Sequence, residues 1–230
     1  MASELRDMSK RLTTIIERVL EQIPVDLERF RNRDPFKTLV AVILSQRTSR
    51  ENVRAALREF EKRFNSISDV ASADIKSIGK AIKRAGLWRQ KAPRIKMIAK
   101  QLLKMGGLEK ILSLPYEEAR KILSSMKGIG PKTADVYLMI MRRDPVFPID
   151  THIFRIMRRL GIADEKDDYE ALRRKLESAT PPKYRMQAHL ALIEFGRTIC
   201  KARSPRCQSC FLADICPYAR RIRGFMKFSM

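Results

Sequence analysis

No stretch of about 18 consecutive apolar residues occurs in this 230-residue sequence, so nothing in it reads as a membrane span. Strand–turn–strand alternation is also missing, which argues against hairpins, sandwiches and barrels. There is no low-complexity tract and no internal repeat. The first 199 residues contain no cysteine, which excludes a disulfide framework spread along the chain. The N-terminal stretch MASELRDMSKRLTTIIERVL lacks the apolar core and small-residue cleavage site of a signal peptide. The expected location is the cytoplasm, where thiols stay reduced. Acidic side chains are in short supply: 26 Asp and Glu face 48 Lys and Arg, a formal net charge of +22. Such an excess repels itself unless an anionic partner takes it up. Thermophile surfaces are also rich in charge but keep the two signs closer to balance. Nucleic acid is the leading partner, because each phosphate neutralised by Lys or Arg releases counterions.

What is present is mostly helical spacing. Leu12, Ile15, Ile16, Val19 and Leu20 share one face of a first helix, and Leu172 and Leu176 belong to a later one. The run Leu39–Leu44 is apolar throughout and could be a buried strand by periodicity alone. Asp34-Pro35 before it is a helix-start signal, however, and no turn residues follow before Ser45-Gln46. The fold class is therefore all-α. Turns are expected around Gly86, Gly106-Gly107, Gly128–Pro131 and Asp144–Pro148. With 44% hydrophobic residues, the chain can bury one good core or two modest ones.

All four cysteines fall within 17 residues: Cys200, Cys207, Cys210 and Cys216, spaced C-x6-C-x2-C-x5-C. Thiolates are soft ligands for zinc or iron. Zinc sites usually pair two short C-x2-C knuckles across a longer gap. One C-x2-C with wider arms fits a [4Fe–4S] cluster better than zinc or plain buried thiols. Such a centre can staple a segment that has little core of its own. Lys201, Arg203 and Arg206 lie between the first two cysteines. They read either as a ligated, rigid phosphate-binding loop or as an ordinary solvated basic loop.

The segment Met126-Lys-Gly-Ile-Gly-Pro-Lys-Thr-Ala134 reads as a helix end, a tight turn and a new helix start. Gly128 and Gly130 permit positive φ and close backbone approach, and Pro131 suits a first helical turn. Amides at such a start can face a phosphate. Lys132 would sit in that first turn, where the helix dipole and the surrounding cations push an ammonium towards its neutral form. Two roles follow from the turn alone: a charged phosphate contact, or a neutral amine nucleophile. Eighteen positions later stands Asp150, within Pro148-Ile-Asp-Thr-His-Ile-Phe154. It can cap a helix running from Thr151 to about Leu160, and a cap carboxylate can also remain exposed and ionised.

Together these residues resemble the endonuclease III branch of the helix-hairpin-helix DNA glycosylase superfamily. The similarity is carried by Phe36–Gln46, Ala85–Trp88 with Lys91-Ala92, Lys127–Asp135, Ile149–Arg155, Phe195–Arg197 and the cysteine spacing. The resemblance implies two helical lobes flanking a DNA-binding cleft. One is a six-helix, barrel-like domain at 28–144 containing the hairpin; the other is a [4Fe–4S] domain formed by 1–27 with 145–230. It implies Lys132 as Schiff-base lysine, Asp150 as catalytic carboxylate, and Gln46 and Leu87 as residues that fill the hole left by an extruded base. Gln46 as a helix-end amide and Leu87 as an ordinary loop residue are the plain alternatives. The implied activity is a bifunctional glycosylase and AP lyase acting on double-stranded DNA with oxidised pyrimidines or abasic sites. A monofunctional uracil or thymine mismatch glycosylase, and a non-catalytic metal-containing DNA-binding protein, are the competing functions. Arg47-Thr-Ser-Arg50 departs from the pattern, since family members often carry an acidic residue there, and this weakens the pyrimidine reading. His152 is given no chemistry, and a monomer is the default expectation.

Overall fold

The computed structural model describes residues 2–31 and 33–227. Its α-helices are α1 (Ala2–Gln22), α2 (Pro35–Leu44), α3 (Arg50–Glu61), α4 (Ile67–Ser72), α5 (Ile75–Ile82), α6 (Trp88–Lys104) and α7 (Leu108–Leu112). They continue with α8 (Tyr116–Ser125), α9 (Pro131–Arg142), α10 (Thr151–Arg159), α11 (Tyr169–Ala179), α12 (Arg185–Thr198) and α13 (Pro217–Lys227). Among the described residues no strand is present and no helix is long and apolar enough to cross a membrane. The chain divides into two compact units, Met1–Arg29 with Pro145–Met230, and Phe30–Asp144.

In the central unit the apolar run is a helix. Asp34 accepts a hydrogen bond from the Lys37 amide at 2.7 Å, and Pro35 occupies the first turn of α2, a start that relieves an otherwise unpartnered N–H. Phe36, Leu39, Val40, Val42, Ile43 and Leu44 are all buried, because α3, α6, α7 and α9 surround the helix. A helix apolar on every side belongs at a centre; burying each such side chain contributes about 1.5–3 kcal/mol. The unit holds six helices of eight or more residues (α2, α3, α5, α6, α8, α9) and two shorter ones, α4 and α7. Tyr137 of α9 donates its hydroxyl to the Pro35 carbonyl at 3.2 Å, fixing α9 to the start of α2.

The other unit has its own core. Leu12, Ile15, Ile16 and Val19 of α1 are buried with Ile153, Ile156 and Met157 of α10, Leu172 and Leu176 of α11, and Ala188, Leu192 and Phe195 of α12. Gly196 lets α10 and α12 come close: a Cβ there would lie 2.8 Å from the His152 Cβ. His189, 2% exposed, donates from Nδ1 to the Pro148 carbonyl at 2.8 Å, which holds the segment leading into α10 against α12.

Candidate functional site

The hairpin joins α8 to α9. Its two helices are held by Asp135, fully buried, which accepts from the Tyr116 hydroxyl at 2.7 Å and from Arg120 Nε at 2.6 Å. The turn between them needs glycine at one position for its backbone. Gly128 has φ +99, and a Cβ on it would lie 1.9 Å from Arg94 Cδ. Gly130 differs from the expectation of positive φ: it has φ −87, and nothing lies within 4 Å of where its Cβ would be. Residues with extended backbone can precede a helix without strain, so Gly130 keeps open space in front of α9 rather than solving a conformational problem. Gly128→Ala should therefore cost roughly 1–3 kcal/mol of stability, and Gly130→Ala less than about 1 kcal/mol. Urea unfolding of the two variants checks the contrast, and equal losses would refute it.

Lys132 stands exposed in the first turn of α9. The neighbouring Thr133 hydroxyl accepts from Gln46 Nε2 at 3.3 Å, and Arg94 Nη1 donates to Gln46 Oε1 at 3.3 Å. Gln46 is thus fixed at both ends of its amide, and its partner Thr133 is the residue next to Lys132 in α9. Leu87 is 43% exposed in a left-handed conformation, φ 50. Trp88 after it packs on Gly79, where a Cβ would meet the ring at 2.6 Å. Lys91, on the first turns of α6, is buried and donates to the carbonyls of Leu44, Gln46 and Ala85. Sequence reasoning gave Lys91, Arg94 and Thr133 no part in a site. Lysine and arginine on a helix read as solvated cations, and only the tertiary contacts show otherwise.

In the unit that contains Pro145–Met230, Asp150 is half-buried and caps α10, with Oδ1 accepting from the Ile153 amide at 2.8 Å. His152 Nδ1 lies 3.0 Å from Arg155 Nη2. Arginine can only donate, so this nitrogen is the acceptor. Burial pushes the His152 imidazole below its ordinary pKa; the Asp150 charge opposes this, and Arg155 and Arg197 reinforce it. Arg155 also donates to the Gly196 and Cys200 carbonyls, and Arg159 to those of Lys201 and Ala202. The basic face of α10 thereby carries the first cysteine.

Cys200, Cys207, Cys210 and Cys216 form no disulfide and line one cavity, walled by Ile156, Phe195, Ile199 and Leu212. Arg159 Nη1 is 3.3 Å from Cys200 Sγ. Burial raises the pKa of the Cys210 thiol; a backbone hydrogen bond at Leu212 opposes this, and the other three cysteines add to the rise. The apolar walls leave the cysteine sulfurs as the donor chemistry. These residues fit an iron–sulfur cluster. Along the connecting loop Arg203 and Arg206 are exposed and Lys201 half-buried. The Arg206 amide closes back on the Ile199 carbonyl at 3.0 Å, and Ser204 turns through a left-handed φ of 49.

Residues 40–182 match the model of the HhH-GPD superfamily base excision DNA repair proteins. Residues 200–216, which begin and end on cysteines, match the iron–sulfur binding domain of endonuclease III. The chain is 34% identical to endonuclease III of Thermotoga maritima over 194 residues, covering 82% of this chain and 85% of that protein. It is 31% identical to endonuclease III of Escherichia coli over 214 residues, covering 93% and 98%. Its fold matches a non-covalent endonuclease III–DNA complex with TM-score 0.78 at 26% identity, over 97% of this chain and 99% of that one. A trapped endonuclease III–DNA covalent intermediate gives TM-score 0.79 at 25% identity, with the same coverage. The hairpin, the cysteine-lined cavity and these likenesses agree: the chain belongs to the endonuclease III family of the HhH-GPD superfamily of base excision DNA repair proteins.

Proposed function

We propose that the protein is a bifunctional DNA glycosylase and AP lyase that binds duplex DNA and acts through Lys132. The observation that carries this reading is an exposed lysine in the first turn of the helix that leaves the hairpin. The target nucleotide must leave the stack, because its glycosidic bond is unreachable inside the duplex. Gln46 and Leu87 fill the space it vacates. The neutral Lys132 amine bonds to C1′ of the deoxyribose as the C1′–N bond to the base breaks, and the base departs with the electron pair. Loss of an amine proton, followed by cleavage of the C1′–O4′ bond with a proton taken up at O4′, opens the sugar and leaves a protonated imine. The imine acidifies C2′, and loss of a C2′ proton expels the 3′ phosphate by breaking the C3′–O bond. Asp150 stabilises the positive charge developing on the sugar or assists in deprotonating the amine. The four cysteines hold a [4Fe–4S] cluster, which ties the basic loop of Lys201, Arg203 and Arg206 into a fixed surface for phosphates.

The test is a comparison of base release with strand scission on duplexes carrying one oxidised pyrimidine, one uracil or thymine opposite guanine, or one abasic site. Scission should keep pace with release on the oxidised pyrimidine, and the abasic duplex should be cut. Release that yields a break only after added alkali would leave the monofunctional reading standing. Asp150→Asn separates chemistry from capping. Asparagine caps a helix as well as aspartate, so unfolding should be nearly unchanged, while single-turnover scission should fall by about 10²–10³. An equal loss of stability and rate would reduce Asp150 to a cap.

A further inference from the structure

A buried ammonium is costly unless its donors are satisfied. Lys91 is 2% exposed, and its ammonium donates to three main-chain carbonyls: Leu44 at 2.8 Å, Gln46 at 2.8 Å and Ala85 at 3.0 Å. Leu44 is the last residue of α2, where the helix dipole is negative, and Ala85 precedes the Gly86–Leu87 turn. The Lys91 amide also reaches the Leu87 carbonyl at 2.9 Å. The side chain therefore ties two turns far apart in sequence, and each turn has a non-glycine residue in the left-handed region: Arg47 at φ 55 and Leu87 at φ 50. Such conformations persist only where the surroundings over-determine them. Burial, and then the Arg94 charge, push the Lys91 pKa below its ordinary value. An apolar side chain in the same space would leave these three carbonyls without that donor. The lysine therefore holds both turns to one point.

We propose that Lys91 is a positioning residue for base extrusion, whose ammonium sets the backbone of the two turns that carry Gln46 and Leu87 into the duplex. This rests on the reading of Gln46 and Leu87 as inserting residues. Lys91 itself touches neither DNA nor the reacting atoms; it acts through the carbonyls it binds.

The probe is a duplex with a tetrahydrofuran abasic analogue and 2-aminopurine as the opposite base, mixed with the cluster-containing protein. The rise in 2-aminopurine emission times the insertion, and Trp88, the sole tryptophan, reports the Leu87 turn from the protein side. Lys91→Met should slow both signals by roughly tenfold, leaving affinity for undamaged duplex within about twofold, and in a Gln46→Ala/Leu87→Ala background should slow the residual signal by less than about twofold. Lys91→Gln, which keeps two donors, should restore part of the rate; it also carries the comparison if the methionine variant does not fold. The proposal is overturned if Lys91→Met leaves the rate unchanged, or slows it as much in the doubly substituted background. The insertion reading fails separately if the double substitution alone leaves the aminopurine signal at its full rate, and the proposal falls with it.

Discussion

Lys132→Ala should abolish the covalent adduct that borohydride forms between protein and abasic DNA, and lower scission by about 10⁴-fold or more. It should do so without harming the fold. The side chain is exposed, so truncation leaves no cavity. Alanine also has the higher helix propensity, and it removes a cation from the positive end of α9. Thermal unfolding should be unchanged or slightly raised. The phosphate-contact reading makes a different forecast: a modest loss of affinity, equal on damaged and undamaged duplexes, with the adduct still formed by another amine. Lys132→Arg sharpens the choice. Arginine keeps the charge and can hold a phosphate, but it does not deprotonate and cannot form the imine. Scission by the arginine variant at anything near the full rate would end the nucleophile assignment.

Much of this candidate site is legible in the sequence, because the features concerned are local. The cysteine spacing points to a metal centre whatever surrounds it. Asp34-Pro35 overrides the strand-like look of Leu39–Leu44, and the observed cap on the Lys37 amide shows why. The hairpin was readable as a turn, but not the division of labour within it. Gly128 is demanded by positive φ and by the Arg94 side chain, whereas Gly130 is demanded by neither. What stayed hidden depends on contacts between distant segments. Nothing in Gln90-Lys91-Ala92 announces that this lysine points into the core, since the same residues on a solvated face would read alike. Asp135 likewise follows an apolar pattern in α9, and its role appears only once Tyr116 and Arg120 of α8 close over it. Periodicity reports which face of a helix is covered, but not by what. Polar side chains that brace a core are therefore the residues a sequence conceals best.

Removing one cluster ligand should produce the other large effect, and it should be confined. The segment from Cys200 to Cys216 contains no α-helix and buries few apolar side chains beyond Leu212 and Ala213. All four cysteines line one cavity. On the proposed ligation its order depends on metal–thiolate bonds, which in small metal-dependent domains supply about 10–16 kcal/mol of apparent folding energy. Helices α10 and α12 keep a core of their own, through Ile153, Ile156, Leu192 and Phe195, so the loss here should be smaller. Serine is nearly the size of cysteine but is a poor ligand for iron. Cys216→Ser should therefore yield protein depleted in iron and sulfide, with amide protection lost across 199–216 and weakened in the part of α10 bound to the loop through Arg155 and Arg159. The core around α2 contains no residue from that region and should retain its hydrogen-exchange protection. Affinity for undamaged duplex should fall and its salt dependence should flatten, as Lys201, Arg203 and Arg206 lose their fixed arrangement. Full iron content in the serine variant would show that Cys216 is not a ligand. Uniform loss of protection in both units would show that the cluster supports the whole chain rather than one segment.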